Sequence, residues 1–381
     1  MPAYLDNAAT TPLRPEAAHA MLPWLTERFG NPSGSHAIAR SARTAIDDAR
    51  DITAAALGVD AGGVVFTGGG TEADNLAILG VTTRRPGPVV CTAVEHHAVL
   101  HSSLHASLHA GGAAGTRVVP VHRDGTVDLV ALESVLDETV TVVSVMLANN
   151  EVGTVQPLAD VARLVRRHAP RAVLHTDAVQ AFPWMDLVEA AQPAVLISVS
   201  AHKFGGPQGV GALAVRGDIE LAPILHGGGQ ERDRRSGTHN VAGIVGMAAA
   251  IEATVNSRRE AAARVARLRD RLVDQLLATI PGATETGDRG LKVPGNAHLC
   301  FEGVESEALL ILLDDAGVYA SAGSACASGA MEPSHVLAAM GVPREMALGS
   351  LRLSLGPTTT EDDIDLALKV IPDAVSRLRE A

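Results

Sequence analysis

The sequence predicts an α/β fold: a larger domain on a mostly parallel sheet flanked by helices, then a smaller α+β domain. Three observations carry this expectation. Short runs rich in Val and Ile alternate with helical stretches as far as Val215, the pattern of successive βαβ units. Polar residues recur just after those runs, at 68–72, Asn150, Asp177 and His202-Lys203, where open α/β sheets place their ligands. The chain has 381 residues, and one long Ala- and Arg-rich stretch, residues 252–279, reads as a helix bridging two domains.

The elements follow in order. A polar turn, Asp6-Asn-Ala-Ala-Thr-Thr-Pro12, ends a short apolar start. Residues 15–25 and 41–57 carry apolar side chains at helical spacing. Residues 64–67 read as a strand entering Gly68-Gly-Gly-Thr-Glu72, with a helix through residue 79. A strand at 89–92 leads to Glu95-His96 and a further helical stretch. Strands are expected at 118–121, before a turn at Asp124-Gly125, and at 139–147, ending in Asn149-Asn150-Glu151. A helix at 158–168 precedes a strand at 172–176 that ends at Asp177. Residues 194–200 form the strand before Lys203, and 210–215 another. Pro281-Gly282 ends the bridging helix. Strands near 297–301, 318–321 and 351–355 and helices at 306–315 and 361–379 complete the smaller domain. The boundary is expected near residue 250: a large domain of 14–250, and a small one of 1–13 with 251–381.

Composition narrows the function. With 46% hydrophobic but only 2% aromatic residues, the core must be built from Ala, Val, Leu and Ile. A net charge of −12 argues against nucleic-acid or membrane-surface binding. No apolar run is long enough to span a bilayer, and no secretory leader is visible at the N-terminus. Three cysteines fit free thiols in a reducing cytoplasm.

Several residues could do chemistry. Of 31 basic residues only Lys203, Lys292 and Lys369 are lysine. Lys369 reads as surface and Lys292 as part of a Gly/Pro-rich turn. Lys203 follows a buried-strand pattern and precedes Phe204-Gly-Gly-Pro-Gln-Gly209, which makes it a candidate Schiff-base amine. Arginine could not replace it, because a guanidinium stays protonated. Thr67-Gly-Gly-Gly-Thr71-Glu72 before a helix is a plausible phosphate cradle, or simply a Gly-rich connector. Asp177, with Gln180 three residues on, lies 26 residues before Lys203. Pyridoxal phosphate needs a carboxylate of this kind to keep its pyridine nitrogen protonated; the alternative is a turn or helix cap. Ser35-His36, Ser200, His202 and Thr238 could each be ordinary turn residues, and Thr238 ends a charged loop that could also bind phosphate. Cys91 and Cys300 read as buried core. Cys326 sits in a run of Ala, Ser and Gly, which predicts an exposed, mobile loop and a candidate nucleophile. Arg352, in Ser350-Leu-Arg-Leu-Ser354, could grip a carboxylate or face solvent. His97, His101, His105 and His109 share one helical face and read as a solvated stripe rather than a metal site.

Together these motifs resemble the cysteine desulfurases of the NifS/IscS type, in the class V aminotransferase family of fold-type I pyridoxal-phosphate enzymes. The matching segments run from Tyr4-Leu-Asp-Asn-Ala-Ala-Thr-Thr-Pro12 to Leu351-Arg-Leu-Ser354. Between them stand Phe29-Gly-Asn-Pro-Ser33, Thr71-Glu-Ala-Asp-Asn-Leu-Ala77, Glu95-His96, Asn149-Asn-Glu-Val-Gly153, His175-Thr-Asp-Ala-Val-Gln180, Ser200-Ala-His-Lys203, Arg235-Ser-Gly-Thr238 and Ser321-Ala-Gly-Ser-Ala-Cys326.

The resemblance implies roles. Lys203 would bond the cofactor and Asp177 pair with its ring nitrogen. His96 would stack on the ring and move protons. Gln180 and Asn150 would lie at the ring hydroxyl, with Asn150 also near the substrate. Gly70, Thr71, Ser200 and His202 would hold the phosphate, and Thr238 would reach the phosphate of the other subunit of a homodimer. Arg352 would bind the carboxylate of L-cysteine, and Cys326 would carry a persulfide to a sulfur acceptor, such as an iron–sulfur scaffold or tRNA-thiolation protein. Ala39 stands where many relatives have glycine, and Ser321-Ala322 where two serines are common. The long form of the Cys326 loop, with Glu332-Pro-Ser-His335, resembles the NifS/IscS group. A selenocysteine lyase, another class V aminotransferase, or a non-catalytic sulfur-relay or scaffold protein are the alternatives.

Overall fold

Alternate side chains along the central strands leave on opposite faces, and each face has its own core. The computed structural model describes residues 2–109, 115–322 and 334–380. Its strands are β1 (Ala3–Tyr4), β2 (Val64–Thr67), β3 (Val89–Thr92), β4 (Thr116–Val119), β5 (Val142–Ser144), β6 (Val173–Asp177), β7 (Leu196–Ser200), β8 (Gly211–Val215), β9 (Ala283–Glu285), β10 (Asn296–Phe301), β11 (Val318–Tyr319) and β12 (Ser350–Ser354). Seven of them form the main sheet, in the order β2-β8-β7-β6-β5-β3-β4. β8 alone runs against its neighbours; the remaining pairings are parallel. Val143, Leu174, Ile197 and Ala212 face one core. Val142, Val173, Leu196 and Leu213 face the other. Helices cover both faces, so these strands are hydrophobic throughout rather than alternating with polar residues.

β10 lies between β12 and β9 in a separate antiparallel sheet, and β1 pairs with β11. Ala3, Leu5, Leu299, Leu353 and Ile371 belong to a distinct core. These separate cores are what supports treating residues 14–250 as one body and 1–13 with 251–381 as the other, a division we propose. The helix Val241–Thr279 links them: Ile244, Met247 and Ile251 enter the first core, and Val265, Leu268 and Leu272 the second.

That helix begins earlier than the sequence pattern suggests. Gly243 and Gly246 lower local helix propensity, but they are required there. A Cβ on Gly246 would come within 2.5 Å of Met21 Cγ, and the Asn240 side chain caps the start by accepting from the Gly243 N–H at 3.0 Å. β4 ends before Pro120, which has no N–H for the ladder. The ladder of β5 is shorter than residues 139–147, yet Val145 and Leu147 still donate to the carbonyls of His175 and Asp177. That extension carries the chain to Asn149 and Asn150.

Candidate active site

The C-terminal ends of β2, β3, β5, β6 and β7 bring together residues far apart in sequence. Lys203 leaves β7 through the 3₁₀ turn Ala201–Lys203. Its ammonium donates to the carbonyls of Ala8 at 2.6 Å and Ala9 at 2.8 Å. Gln180 donates to the same Ala8 carbonyl at 2.8 Å. The turn bearing Ala8 is fastened by Thr11, which donates to the His202 carbonyl at 2.8 Å. Thus the N-terminal segment closes over the lysine.

Asp177 is buried at the tip of β6 and accepts from the Val179 N–H at 2.9 Å. Burial raises its pKa more than His96, the Val179 N–H and Lys203 lower it. A cationic ring nitrogen against this carboxyl would restore its charge. His96 precedes the helix His97–His109, and its Nδ1 accepts from the Ala98 N–H at 3.1 Å. That leaves the proton of the neutral ring on Nε2. Burial lowers the pKa of His96 against the opposing pull of Asp177. It is therefore a neutral base at physiological pH.

A recess opens beside these groups, lined by Gly68, Gly70, Thr71, Ser200, His202 and their neighbours. It lies at the N-terminus of the 15-residue helix Gly70–Arg84, where backbone N–H groups favour an anion. Gly69 has φ 147°, and a Cβ on Gly70 would come within 2.9 Å of Val179 Cγ2. Both positions therefore need glycine. His202 pairs through Nδ1 with the Thr10 hydroxyl at 3.2 Å. Burial and then Lys203 lower its pKa to about 4, so it meets an anion as a neutral donor. A phosphate-bearing ring with a basic nitrogen fits this set: amine, carboxylate and anion cradle lie at the same edge of one sheet, after β7, β6 and β2.

Arg352 is buried on β12 rather than on the surface. It donates to Asp6 Oδ1 at 2.8 Å and to the Asn150 carbonyl at 3.0 Å, while its Nε has no partner. Thr238 is exposed and lies outside the recess lining. His36 caps the helix Ala37–Leu57, the ordinary turn role. Cys91 and Cys300 are buried free thiols. Cys326 lies outside the described residues. The residues flanking its segment are anchored near the site: the Ser350 hydroxyl donates to the Ala322 carbonyl at 3.2 Å, and His335 Nε2 bonds the Glu95 carbonyl at 3.0 Å. Ser334 bonds Glu151. Among the described residues no group of three His, Cys, Asp or Glu could hold a metal. His97 packs against His101 and His335, with ring centroids 5.2 and 4.7 Å apart; the His109 side chain is outside the described set.

The sequence reading missed a buried layer behind Asp177. His175 bonds the hydroxyls of Ser144 at 2.8 Å and Ser198 at 3.0 Å. Asp74 lies 3.6 Å from it. Burial pushes the Asp74 carboxyl well up, reinforced by Asp177. Glu95 accepts from the Thr92 hydroxyl at 2.6 Å and the Met146 N–H at 2.9 Å. An acidic residue inside the apolar run Ala73-Asp-Asn-Leu-Ala-Ile78 was the available signal for Asp74.

Burial raises the Glu95 pKa from 4.5 to about 8. The folded state therefore keeps a proton that the unfolded chain releases, and this contribution is lost as pH rises from about 4.5 to about 8. Glu95→Gln should flatten the decline of melting temperature over that range. Melting curves that fall in parallel for both proteins would contradict a neutral Glu95.

The Aminotransferase class-V family model matches residues 3–367. The chain belongs to this family, among its IscS/NifS-like cysteine desulfurases. An "IscS-like cysteine desulfurase" of Mycobacterium tuberculosis is 47% identical, covering 100% of this chain and 98% of the relative. The "Cysteine desulfurase IscS" of Methanosarcina thermophila is 43% identical over 99% of this chain and 92% of the relative. A solved "NIFS-LIKE PROTEIN" superposes with TM-score 0.92 at 36% identity, covering 99% of this chain and 100% of that one. A NifS-like protein from Rickettsia africae gives TM-score 0.88 at 28% identity, with 99% and 100% covered. These relatives agree with the α/β class and the family resemblance read from the sequence. No helix among the described residues of this family member is long and apolar enough to cross a membrane.

Proposed function

We infer that this enzyme is a cysteine desulfurase that uses pyridoxal phosphate to convert L-cysteine to L-alanine, leaving the sulfur as a persulfide on Cys326. The observation that carries this reading is the grouping of Lys203, Asp177 and His96 at the C-terminal ends of β7, β6 and β3 of one sheet, in a chain of this family.

The bound cofactor would supply an electron sink for removal of the substrate's Cα proton. Lys203 would hold it through Nζ, and Asp177 would keep its ring nitrogen protonated. His96 would stack on the ring, with Gln180 and Asn150 at its hydroxyl. Gly70, Thr71, Ser200 and His202 would bind its phosphate, joined by Thr238 of the second copy in a homodimer. With the cofactor bound, Lys203 Nζ and the neutral His96 ring would exchange protons with the substrate.

Arg352 binds the substrate carboxylate. Its guanidinium is already oriented by Asp6 and Asn150, while its Nε remains unpaired. Arg352→Gln should raise KM for cysteine about ten- to a hundredfold, the cost of a lost charge-assisted pair, with a smaller change in kcat. A steady-state titration with an unchanged KM would remove Arg352 from this role.

The Cys326 thiolate attacks the substrate sulfur, in the manner of thiol–disulfide exchange. An S–S bond forms, the substrate C–S bond breaks, and its electron pair stays on carbon. Protonation of that carbon completes alanine, so one thiol and one cysteine give one persulfide and one alanine. The persulfide would pass in the cytoplasm to an acceptor such as an iron–sulfur scaffold or tRNA-thiolation protein.

Incubation with cysteine and a reductant tests the reading. Equal yields of alanine and sulfide are expected; pyruvate without sulfide would replace it with transamination.

A further inference from the structure

Three consecutive residues other than glycine, Glu231, Arg232 and Asp233, have φ of 50°, 59° and 63°. Left-handed backbone is disfavoured for L residues and persists only where the surroundings over-determine it. Here the surroundings are a buried ion pair. Glu231, whose side chain is 1% exposed, accepts both arms of the Arg50 guanidinium, at 2.7 and 2.8 Å. The same carboxylate accepts from the Phe66 N–H at 3.0 Å and bonds His239 Nε2 at 2.8 Å. Arg50 also donates to the Val64 carbonyl at 2.7 Å, so the turn is fastened to β2. Burial alone would raise the pKa of Glu231, but Arg50 and His239 outweigh it and hold it at about 2.

The turn opens into a loop with fixed geometry. The Gly237 N–H donates to Gln230 Oε1 at 2.8 Å. Arg235 donates to Glu72 at 2.8 Å, beside the glycines of the anion recess. Thr238 follows, exposed and outside the recess of its own subunit.

We propose that the Arg50–Glu231 pair is a positioning element for a phosphate site completed by a second copy of this chain: it holds the strained turn so that Thr238 projects toward the other subunit's cofactor phosphate. The proposal rests on the reading of this enzyme as a pyridoxal-phosphate-dependent homodimer with Thr238 acting across the interface. Neither Arg50 nor Glu231 touches the cofactor; both act through the loop.

Mixed holoenzyme dimers test this. One subunit carries Lys203→Ala, so covalent cofactor is retained only by the other. Glu231→Gln is placed either on the Lys203→Ala subunit or on the intact one. With Glu231→Gln on the Lys203→Ala subunit, cofactor release during dialysis should be about tenfold faster, the equivalent of weakening one charge-assisted hydrogen bond. With both changes' positions separated, so that Glu231→Gln sits on the intact subunit, release should match the control. A merely structural defect would act in the subunit that carries it, so faster release in that second arrangement overturns the proposal. Arg50→Lys keeps the charge but loses the fork; it should give the same asymmetry at smaller size, and it serves if Glu231→Gln does not fold. Thr238→Val separates the two levels. If it is silent across a dimer shown by sedimentation, or the protein is a monomer, the Thr238 reading falls and the proposal with it. If Thr238→Val speeds release across the interface but Glu231→Gln and Arg50→Lys do not, the proposal alone falls.

Discussion

Lys203→Ala should purify without covalently held pyridoxal phosphate and lose desulfurase activity by at least about a thousandfold, as expected when a nucleophile that also moves protons is removed. The structure explains why nothing nearby could substitute. Lys292 is buried and pairs with Glu285 at 3.0 Å, and Lys369 is exposed on the C-terminal helix. An arginine in place of Lys203 could keep the hydrogen bonds to Ala8 and Ala9, but its guanidinium would not form the bond. Added primary amines should restore part of the activity of the alanine variant. Absorbance of the purified variant and alanine release are the measurements; a covalently loaded, active Lys203→Ala would refute the role.

Cys326→Ser should show the second large effect. The variant should retain bound cofactor yet form no persulfide, with sulfur transfer down roughly a thousandfold or more, because a serine hydroxyl is neither ionised nor sulfur-seeking at neutral pH. The residues proposed to hold the cofactor, among them Gly70, His96, Asp177, Ser200 and Lys203, are left intact in this variant, so cofactor retention separates loss of chemistry from loss of fold. Mass spectrometry of the protein after incubation with cysteine reads the persulfide directly. Full sulfur transfer by the serine variant would assign the nucleophile elsewhere. The other two cysteines are poor substitutes: burial pushes the Cys91 thiol up to about 12, and burial likewise raises that of Cys300.

Much of the architecture was legible because its signals are local. The strands Val64–Thr67 and Val89–Thr92 and the helices Leu158–His168 and Ser306–Asp315 lie where hydrophobic periodicity puts them. Errors fell where packing overrode propensity. Gly246 sits inside a helix because Met21 and Pro207 crowd the place of a Cβ, and Gly243 because the capping Asn240 side chain does. The short helix Leu129–Val135, capped by Asp128, went unread because seven residues carry too little periodicity.

The site divides in the same way. Lys203, Asp177, His96 and the Gly68–Gly70 run could be picked out because each ends a recognisable strand or begins a helix, and their order matches a family pattern. The sequence by itself therefore determined the fold class, the family and the inventory of reactive groups. Only the tertiary structure decided their states. It buried Arg352 against Asp6, 346 positions away, and set the Lys203 ammonium on the Ala8 carbonyl, 195 positions away. It also placed Asp74, Glu95 and His175 in the buried layer behind Asp177, where burial raises the pKa of both carboxyls and lowers that of the imidazole. Periodicity reports which face of its own element a residue occupies; charge, tautomer and strain depend on desolvation and on partners that only folding brings within hydrogen-bond reach.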